Sequence, residues 1–159
     1  MRTINIIGCG KVGKTLGRLW VLQGLARIGD VLNRSPESSQ AAVAFLGAGR
    51  AVKGFEDLAP ADIQLISTTD THIAAAAENL ACCGVIRSGD VVFHCSGSLS
   101  SAVLAPLRSS GAVLGSVHPV KSFADPERSV ASFAGTFCAM EADGKARVVL
   151  TELFTGIGA

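Results

Sequence analysis

No excess of charge and no long apolar run marks this sequence. Its 14 Lys and Arg residues nearly balance 13 Asp and Glu residues, for a formal net charge of +1. No block of like charges stands out, as it does in proteins that bind nucleic acid through a basic surface. No apolar run approaches the roughly 18 to 20 residues of a membrane span. We therefore expect neither a nucleic-acid partner nor a membrane partner.

Disulfides and metal sites also lack their usual sequence signals. The cysteines are odd in number, five in all, and show no C-x-x-C or Cys/His ligand spacing. This pattern indicates reduced thiols and predicts no metal ligands. The N-terminal apolar stretch is too short for a secretory signal peptide and is interrupted by Asn5, Gly8 and Lys11. We therefore expect a cytoplasmic protein.

The length and the hydrophobic pattern indicate one α/β domain. The 159 residues can bury a core, and no repeat, low-complexity segment or long linker divides them. Short β-branched runs alternate with Ala- and Leu-rich stretches of helical spacing, which predicts a doubly wound, mostly parallel Rossmann-like sheet with helices on both faces. Predicted strands cover residues 3–7, 28–32, 51–52, 63–67, 91–94, 112–117 and 136–140. Predicted helices cover residues 11–23, 36–46, 70–83, 99–111 and 145–155, and residues 122–135 are predicted as a loop with at most one turn.

A glycine-rich turn joins the first predicted strand to the first predicted helix in "INIIGCGKVGKTLGRLW". Gly8 permits the tight turn, Gly10 lets the backbone approach a pyrophosphate, and Gly13 lets the helix pack closely on the strand. The helix N-terminus offers free N–H groups to phosphate. The alternative is a glycine bend without a ligand. The predicted binding turn also contains Cys9, Lys11 and Val12.

The end of the second predicted strand should set the choice between NAD and NADP. An NAD enzyme usually carries Asp or Glu there for the ribose 2′-hydroxyl. This chain has Asn33, Arg34 and Ser35 instead. Arg34 offers planar donors for a 2′-phosphate, and its neighbours add neutral donors. NADP(H) is therefore favoured over NAD(H), although Arg34 could be a solvated loop residue and Ser35 a helix cap before Pro36.

The loop after the fourth predicted strand reads "STTDTHI". Loops at the carboxyl ends of parallel strands line the ligand crevice, so Thr68 and Thr69 are candidate contacts to the ribose or phosphates of the cofactor. Asp70 or Thr71 could cap the next helix. We interpret His72 as an exposed residue of the first helical turn.

Polar side chains also follow the fifth and sixth predicted strands, in "FHCSGSLSS" and "GSVHPVKSF". Ser96 and Ser98 could hydrogen-bond a substrate carboxylate or carbonyl. His118 is the best acid/base candidate, because a histidine needs little tuning of its pKa near neutrality. Lys121 could bind an anionic substrate.

Each of these residues also has a plainer interpretation. His118 could be a loop histidine held by Pro119, and Lys121 a surface lysine. We interpret His94 as an inward, hydrogen-bonded structural residue. Cys95 is a poor candidate for a nucleophile, because no base is placed beside it in the sequence.

These motifs resemble the DUF2520-type, Rossmann-like oxidoreductases. The resemblance lies in "IIGCGKVG", "NRS" and "HCSGSLSSAVLAPLRSSGAVLGSVHPVKSFADPE", and runs from Ile4 to about Asp143. The wider group includes F420-dependent NADP oxidoreductases, 6-phosphogluconate dehydrogenase, pyrroline-5-carboxylate reductase and prephenate dehydrogenase. The resemblance implies that Ser96 and Gly97 contact substrate, and that His118 corresponds to a histidine of the prephenate dehydrogenases. It also makes F420 a possible second cofactor.

Proteins of that group continue into a helical domain that usually builds a dimer and closes the active site. We expect residues 1–159 to form the dinucleotide-binding domain without that helical domain. The chain alone is then expected to bind NADP(H) without measurable turnover, with homodimer formation possible. We also expect an exposed apolar patch near the end of the chain, formed by Leu150, Leu153, Phe154 and Ile157.

Two functional hypotheses follow. The first is an NADP-dependent oxidoreductase that transfers hydride between NADP(H) and a small carbonyl, imine or hydroxy substrate. In it His118 manages the proton, Ser96 orients the substrate, and Lys121 is a further catalytic candidate. The second is a nucleotide-sensing module that acts through a partner, which needs Gly8, Gly10, Gly13 and Arg34 but no acid/base group.

Overall fold

Seven strands form a single sheet in the computed structural model, which describes residues 1–159. In chain order they are β1 (Arg2–Ile7), β2 (Ala26–Leu32), β3 (Arg50–Val52), β4 (Ile63–Ile66), β5 (Val91–His94), β6 (Val113–Pro119) and β7 (Cys138–Ala142). The spatial order is β3-β2-β1-β4-β5-β6-β7. All neighbours pair in parallel except β6 and β7, which are antiparallel. The first six strands have the order of a dinucleotide-binding doubly wound sheet, which confirms the predicted fold class.

The helices cover both faces of this sheet. They are α1 (Lys11–Leu22), α2 (Pro36–Leu46), α3 (Asp70–Cys82), α4 (Pro126–Ala131) and α5 (Gly144–Thr155), with a 3-10 helix at Ser101–Ser110 and a short 3-10 turn at Phe55–Asp57. One apolar core contains the buried faces of α1 and α5, and the other contains those of α3 and the Ser101–Ser110 helix. We call the side of the sheet that is covered by α3 and the Ser101–Ser110 helix the α3 face. No helix is both long and apolar enough to span a bilayer.

Of the predicted elements that differ from the structure, three have a clear local cause. Residues 101–110 form a 3-10 helix because Pro106 has no N–H and its ring would clash with a carbonyl in an α-helix. The predicted loop contains α4, which starts where Asp125 accepts a hydrogen bond from the Arg128 N–H at 2.9 Å, with Pro126 in the first helical position. β6 continues to Pro119, where that residue pairs with Cys138 of β7.

The end of the chain is buried rather than exposed, so the predicted apolar patch is wrong. Leu150, Leu153, Phe154 and Ile157 are each at most 5% exposed. Phe154 packs edge-on against Trp20 and Phe93, with ring centroids 5.9 and 6.1 Å apart. The indole N–H of Trp20 donates to the Leu153 carbonyl at 3.2 Å. The helix α5 therefore completes the core of this domain.

Asp143, at the start of α5, is expected to make stability depend on acid pH. It accepts a hydrogen bond from the Leu114 N–H at 2.8 Å and contacts the Arg108 guanidinium at 3.2 Å. These partners hold the pKa of the Asp143 carboxyl below its ordinary value. Because the pKa is depressed in the folded state, the stabilisation is present above the unfolded pKa of about 3.9 and is lost as pH falls through the folded value.

Urea unfolding between pH 3 and pH 7 measures this contribution. The Asp143→Asn variant should lose about 1 kcal/mol at pH 7, since solvent screens the ion pair, and its stability should fall less steeply with acid than that of the wild type. Glu78→Gln removes one charge from an exposed site without hydrogen bonds and serves as the control. If the stability of Asp143→Asn fell with acid as steeply as that of the wild type, ionised Asp143 would not be the source of this pH dependence.

Candidate functional site

The candidate site lies at the carboxyl ends of β1, β4, β5 and β6. The chain order reverses between β1 and β4, since β1 leads outward to β2 while β4 lies on its other side. In open α/β sheets, ligands bind in the crevice at this switch point. The glycine-rich turn, the Thr68 loop and the loops after β5 and β6 all meet there.

Gly8 and Gly13 shape the turn. Gly8 has φ +77°, and a Cβ there would lie 2.7 Å from the Thr68 backbone nitrogen. Glycine is therefore required both by conformation and by the close approach of the loop after β4. A Cβ at Gly13 would lie 2.6 Å from Ser67 Oγ and 3.2 Å from Ile6. Its absence lets α1 pack directly on the sheet.

Gly10 has a different role, because its surroundings are open. Its φ is −84°, and a Cβ there would meet no atom within 4 Å. The next N–H groups, of Lys11, Val12 and Gly13, have no hydrogen-bond acceptor in the protein, and the first helical bond runs from the Lys14 N–H to the Gly10 carbonyl at 2.9 Å. Free donors and open space therefore occur together at the positive end of α1.

Asn33 holds the turn in shape. Its side-chain oxygen accepts from the Cys9 N–H at 2.6 Å, and its side-chain nitrogen donates to the Ser38 carbonyl at 3.0 Å. Asn33 is therefore not the free donor expected for the cofactor, because both ends of its amide are used within the protein. Cys9 is 1% exposed, and burial raises the pKa of its thiol to about 12, so it contributes backbone shape and no reactive group.

Arg34 is the one residue of the "NRS" stretch whose side chain is free. It is exposed and makes no hydrogen bond or ion pair. The Ser35 hydroxyl accepts from the Ser38 N–H at 3.2 Å, as expected for the cap of α2. No carboxylate lies between Asn33 and Pro36, so nothing in this stretch would repel a phosphate.

The two threonines after β4 differ in what they can offer. The Thr68 hydroxyl is buried against the glycine turn and has no hydrogen-bond partner. A buried polar group without a partner is uncommon and is satisfied when a ligand or water reaches it. The Thr69 hydroxyl lies 2.7 Å from His72 Nδ1, and both residues are exposed in the first turn of α3.

A polar cluster joins the loop after β5 to the start of α3. The Ser96 hydroxyl accepts from the N–H groups of Ser98 and Leu99 at 3.1 and 3.2 Å, so it organises the loop. The Ser98 hydroxyl donates to Asp70 at 2.7 Å. Hydrogen bonds from Ser98 and Ser96 hold the pKa of the Asp70 carboxyl below its usual range. Ser96 is 7% exposed whereas Ser98 is exposed, so Ser98 is the serine that presents its hydroxyl to the crevice.

His118 joins this cluster from β6. A Cβ at Gly97 would lie 2.7 to 2.9 Å from three atoms of the imidazole, so the ring rests directly on the Gly97 backbone. The Nδ1 atom of His118 is buried and has no hydrogen-bond partner. No side chain therefore selects one tautomer of this histidine. The hydrogen-bonding capacity of this ring is therefore left for a ligand or water.

His94 is structural, as its sequence position indicated. It is fully buried, and its Nδ1 accepts from the Ser96 N–H at 3.1 Å. Its Nε2 lies 3.1 Å from the Ser100 carbonyl, which assigns the proton to Nε2. Burial lowers the pKa of this imidazole, which keeps the residue neutral.

Lys121, the further catalytic candidate, does not join the cluster in this structure. Its ammonium donates to the carbonyl and the hydroxyl of Ser132, both at 2.9 Å, at the C-terminal end of α4. A cation at this end of a helix is favourable, so the contact is a structural one. This contact depends on α4, which lies in a segment predicted as loop. Cys95 is also inert, since burial raises the pKa of its thiol.

Comparison with known proteins agrees with this architecture. The family model of the Rossmann-like domain matches residues 2–119. The chain belongs to the Rossmann-like domain family. Comparison with curated proteins gives no match. No three or more His, Cys, Asp or Glu residues of this Rossmann-like domain are grouped so that they could hold a metal ion.

Solved structures with the same fold are mostly longer enzymes. The "putative NADP oxidoreductase" of Bacteroides fragilis has a TM-score of 0.83 at 18% identity, over 99% of this chain and 57% of that one. Synechocystis arogenate dehydrogenase has a TM-score of 0.79 at 17% identity, and the match covers 99% of this chain and 57% of that chain. A third structure is prephenate dehydrogenase from Aquifex aeolicus in complex with hydroxyphenyl propionate and NAD+. Its TM-score is 0.74 at 18% identity, and the match covers 99% of this chain and 58% of that chain. At these identities the similarity establishes the fold, and the chain spans a little over half the length of these proteins.

Proposed function

We propose that this chain is the NADP(H)-binding domain of an oxidoreductase. The observation that carries the proposal is the turn at Gly10, where open space and three free N–H groups coincide at the switch point of the sheet. A pyrophosphate fits such a site because it brings negative charge and several acceptors to an N-terminus that has only donors. The dehydrogenases and the oxidoreductase of the same fold support the proposal, and the finer resemblance to DUF2520-type oxidoreductases is part of it.

Arg34 would select NADP over NAD. Its guanidinium is free, exposed and placed directly after β2, where the adenosine ribose of a bound dinucleotide is read. A planar guanidinium can donate two hydrogen bonds to a 2′-phosphate. The buried Thr68 hydroxyl, which lacks a partner in the protein, would donate to the same cofactor on the other side of the turn.

The nicotinamide ring, when bound, supplies or accepts the hydride. The residues of this chain would orient a small carbonyl, imine or hydroxy substrate and exchange a proton with it. His118 would exchange a proton with the substrate oxygen or nitrogen, because histidine is a common general acid and base and no side chain of the protein hydrogen-bonds to Nδ1 of this one. Ser98 would orient the substrate, with Ser96 holding the loop in place. A module that only senses nucleotides would need none of these groups, so their grouping favours the oxidoreductase.

The Arg34→Ala variant tests cofactor choice. We expect the wild type to bind NADP+ more tightly than NAD+, and we expect the variant to lose roughly ten- to a hundredfold in affinity for NADP+, as for one charge-assisted contact worth about 1.5 to 3 kcal/mol. The affinity for NAD+ should change by less than about twofold, since NAD+ lacks the 2′-phosphate. Titration calorimetry with both cofactors measures these values.

Arg27→Ala is the matched control. It removes an exposed arginine from the opposite end of the same strand, where Arg27 contacts only the Thr3 hydroxyl. This control should keep the affinity of the wild type for both cofactors. Equal affinities of the wild type for NADP+ and NAD+ would refute the role of Arg34. Absence of binding to either cofactor would refute the proposed function.

A further inference from the structure

Asp70 points across the crevice and not into its own helix. It is the first residue of α3, directly after the N-cap Thr69, and an acidic side chain in this first turn is favoured by the helix dipole. No N–H of α3 donates to it, and its Oδ2 instead accepts from Ser98, a residue 28 positions further along the chain. Helix capping therefore does not explain the direction of this carboxylate.

No fixed cation neutralises Asp70. None of the five ion pairs of the protein includes it. The titratable groups that face it are the imidazoles of His94 and His118, and His94 is kept neutral by burial. The ammonium of Lys121 is held by Ser132. Beside Asp70 the crevice therefore holds the His118 imidazole and no Lys or Arg side chain that could bind a carboxylate.

Two exposed apolar side chains flank His118 on the other side. Val120 is 62% exposed and Phe137 is 85% exposed. The Val120 N–H donates to the Phe137 carbonyl at 2.8 Å, which continues the pairing of β6 and β7 by one step. Side chains alternate along a strand, so Val120 lies on the same face of the sheet as His118, the α3 face. Large apolar side chains this exposed are often found where a ligand or partner binds.

The two features belong to one continuous surface. Asp70 is bonded to Ser98, the neighbouring Gly97 supports the His118 ring, and Val120 follows two residues later. Across the crevice, the carboxylate of Asp70 is followed by the imidazole of His118 and then by the apolar edge at Val120 and Phe137. A ligand that matches this order has a positive charge at one end and an apolar group at the other.

We propose that the substrate is a protonated imine or amine attached to an apolar group. Asp70 pairs with the cationic nitrogen, and Val120 and Phe137 cover the apolar part. Oxo acids are disfavoured, because their carboxylate would meet the charge of Asp70 and no Lys or Arg side chain. This inference rests on the proposed function, since the cofactor has to occupy the neighbouring half of the crevice.

Two probes with the same ring and opposite charge test the inference. Cyclohexylamine and cyclohexanecarboxylate are titrated at pH 7 into ¹⁵N-labelled protein saturated with NADP+, and affinities are read from amide shifts. The ammonium should bind at least about fivefold more tightly than the carboxylate and should shift the amides of Asp70, Gly97 and Ser98. Asp70→Asn should remove this preference and leave the affinity for NADP+ within about twofold of the wild type. Glu78→Gln, on an exposed site of the same helix, should keep the preference.

The apolar edge is tested separately. Phe137→Ser should weaken both probes equally, by about threefold, because it removes apolar contact without changing charge. Val148→Ser is the control, since Val148 is 59% exposed on α5. If the wild type does not bind NADP+, the proposed function fails. If it binds NADP+ but holds both probes equally, prefers the carboxylate or binds neither, the inference on substrate class is overturned and the proposed function stands.

Discussion

The Gly10→Val variant is expected to lose NADP(H) binding, with affinity reduced by more than about a hundredfold. The branched side chain would occupy the open space that Gly10 leaves in front of the N–H groups of Lys11, Val12 and Gly13. Loss of two hydrogen bonds to a charged group, at about 1.5 to 3 kcal/mol each, accounts for a change of that size. Titration calorimetry with NADPH measures it.

The same variant is expected to stay folded. A Cβ at Gly10 meets no protein atom, and the φ of −84° lies outside the left-handed region that only glycine adopts readily. Gly144→Val is the matched control, because Gly144 also faces open space but lies at the start of α5. It should bind NADPH like the wild type. If Gly10→Val retained binding, the glycine turn would be a structural bend only.

Phe154→Ala is expected to lower the free energy of unfolding by about 3 to 5 kcal/mol. Phe154 is 2% exposed, and its ring packs edge-on against both Trp20 and Phe93. Removing it leaves a cavity between α1, α5 and the sheet and breaks two aromatic pairs. A domain of this size has only about 5 to 15 kcal/mol of stability in total, so the variant should be close to its unfolding threshold at physiological temperature.

Urea unfolding followed by Trp20 fluorescence measures the effect, since this is the one tryptophan of the chain. Val148→Ala is the control on the same helix and should change stability by less than about 0.5 kcal/mol, because Val148 is 59% exposed. A loss below about 1 kcal/mol for Phe154→Ala would mean that α5 is peripheral to the core.

The features that depend on neighbouring residues in the chain could be predicted from the sequence. The strand at Val91–His94 and the start of α2 at Ser35 and Pro36 match their predictions. The glycine turn likewise lies between β1 and α1, as its spacing requires. In each case the signal is local, because apolar runs, capping residues and glycines act within a few positions.

The features that depend on distant partners could not be predicted. The apolar positions of α5 fit burial against this sheet as well as against a further domain, so spacing alone did not show that Phe154 meets Trp20. The position of Lys121 depends on Ser132 in α4, and the direction of Asp70 depends on the loop after β5. The antiparallel direction of β7 is also a property of the assembled sheet.

The hydrogen bond from the Cys9 N–H to the Asn33 side chain would affect the rate at which a dinucleotide binds. The hydrogen bonds of Asn33 at 2.6 and 3.0 Å join the turn to the start of α2 through contacts within the protein. The turn is therefore preorganised, and its conformational entropy is lost when the chain folds and not when the ligand arrives. The rate of dinucleotide association would then depend on diffusion and on the electrostatic field at the N-terminus of α1, without a slow loop-closing step.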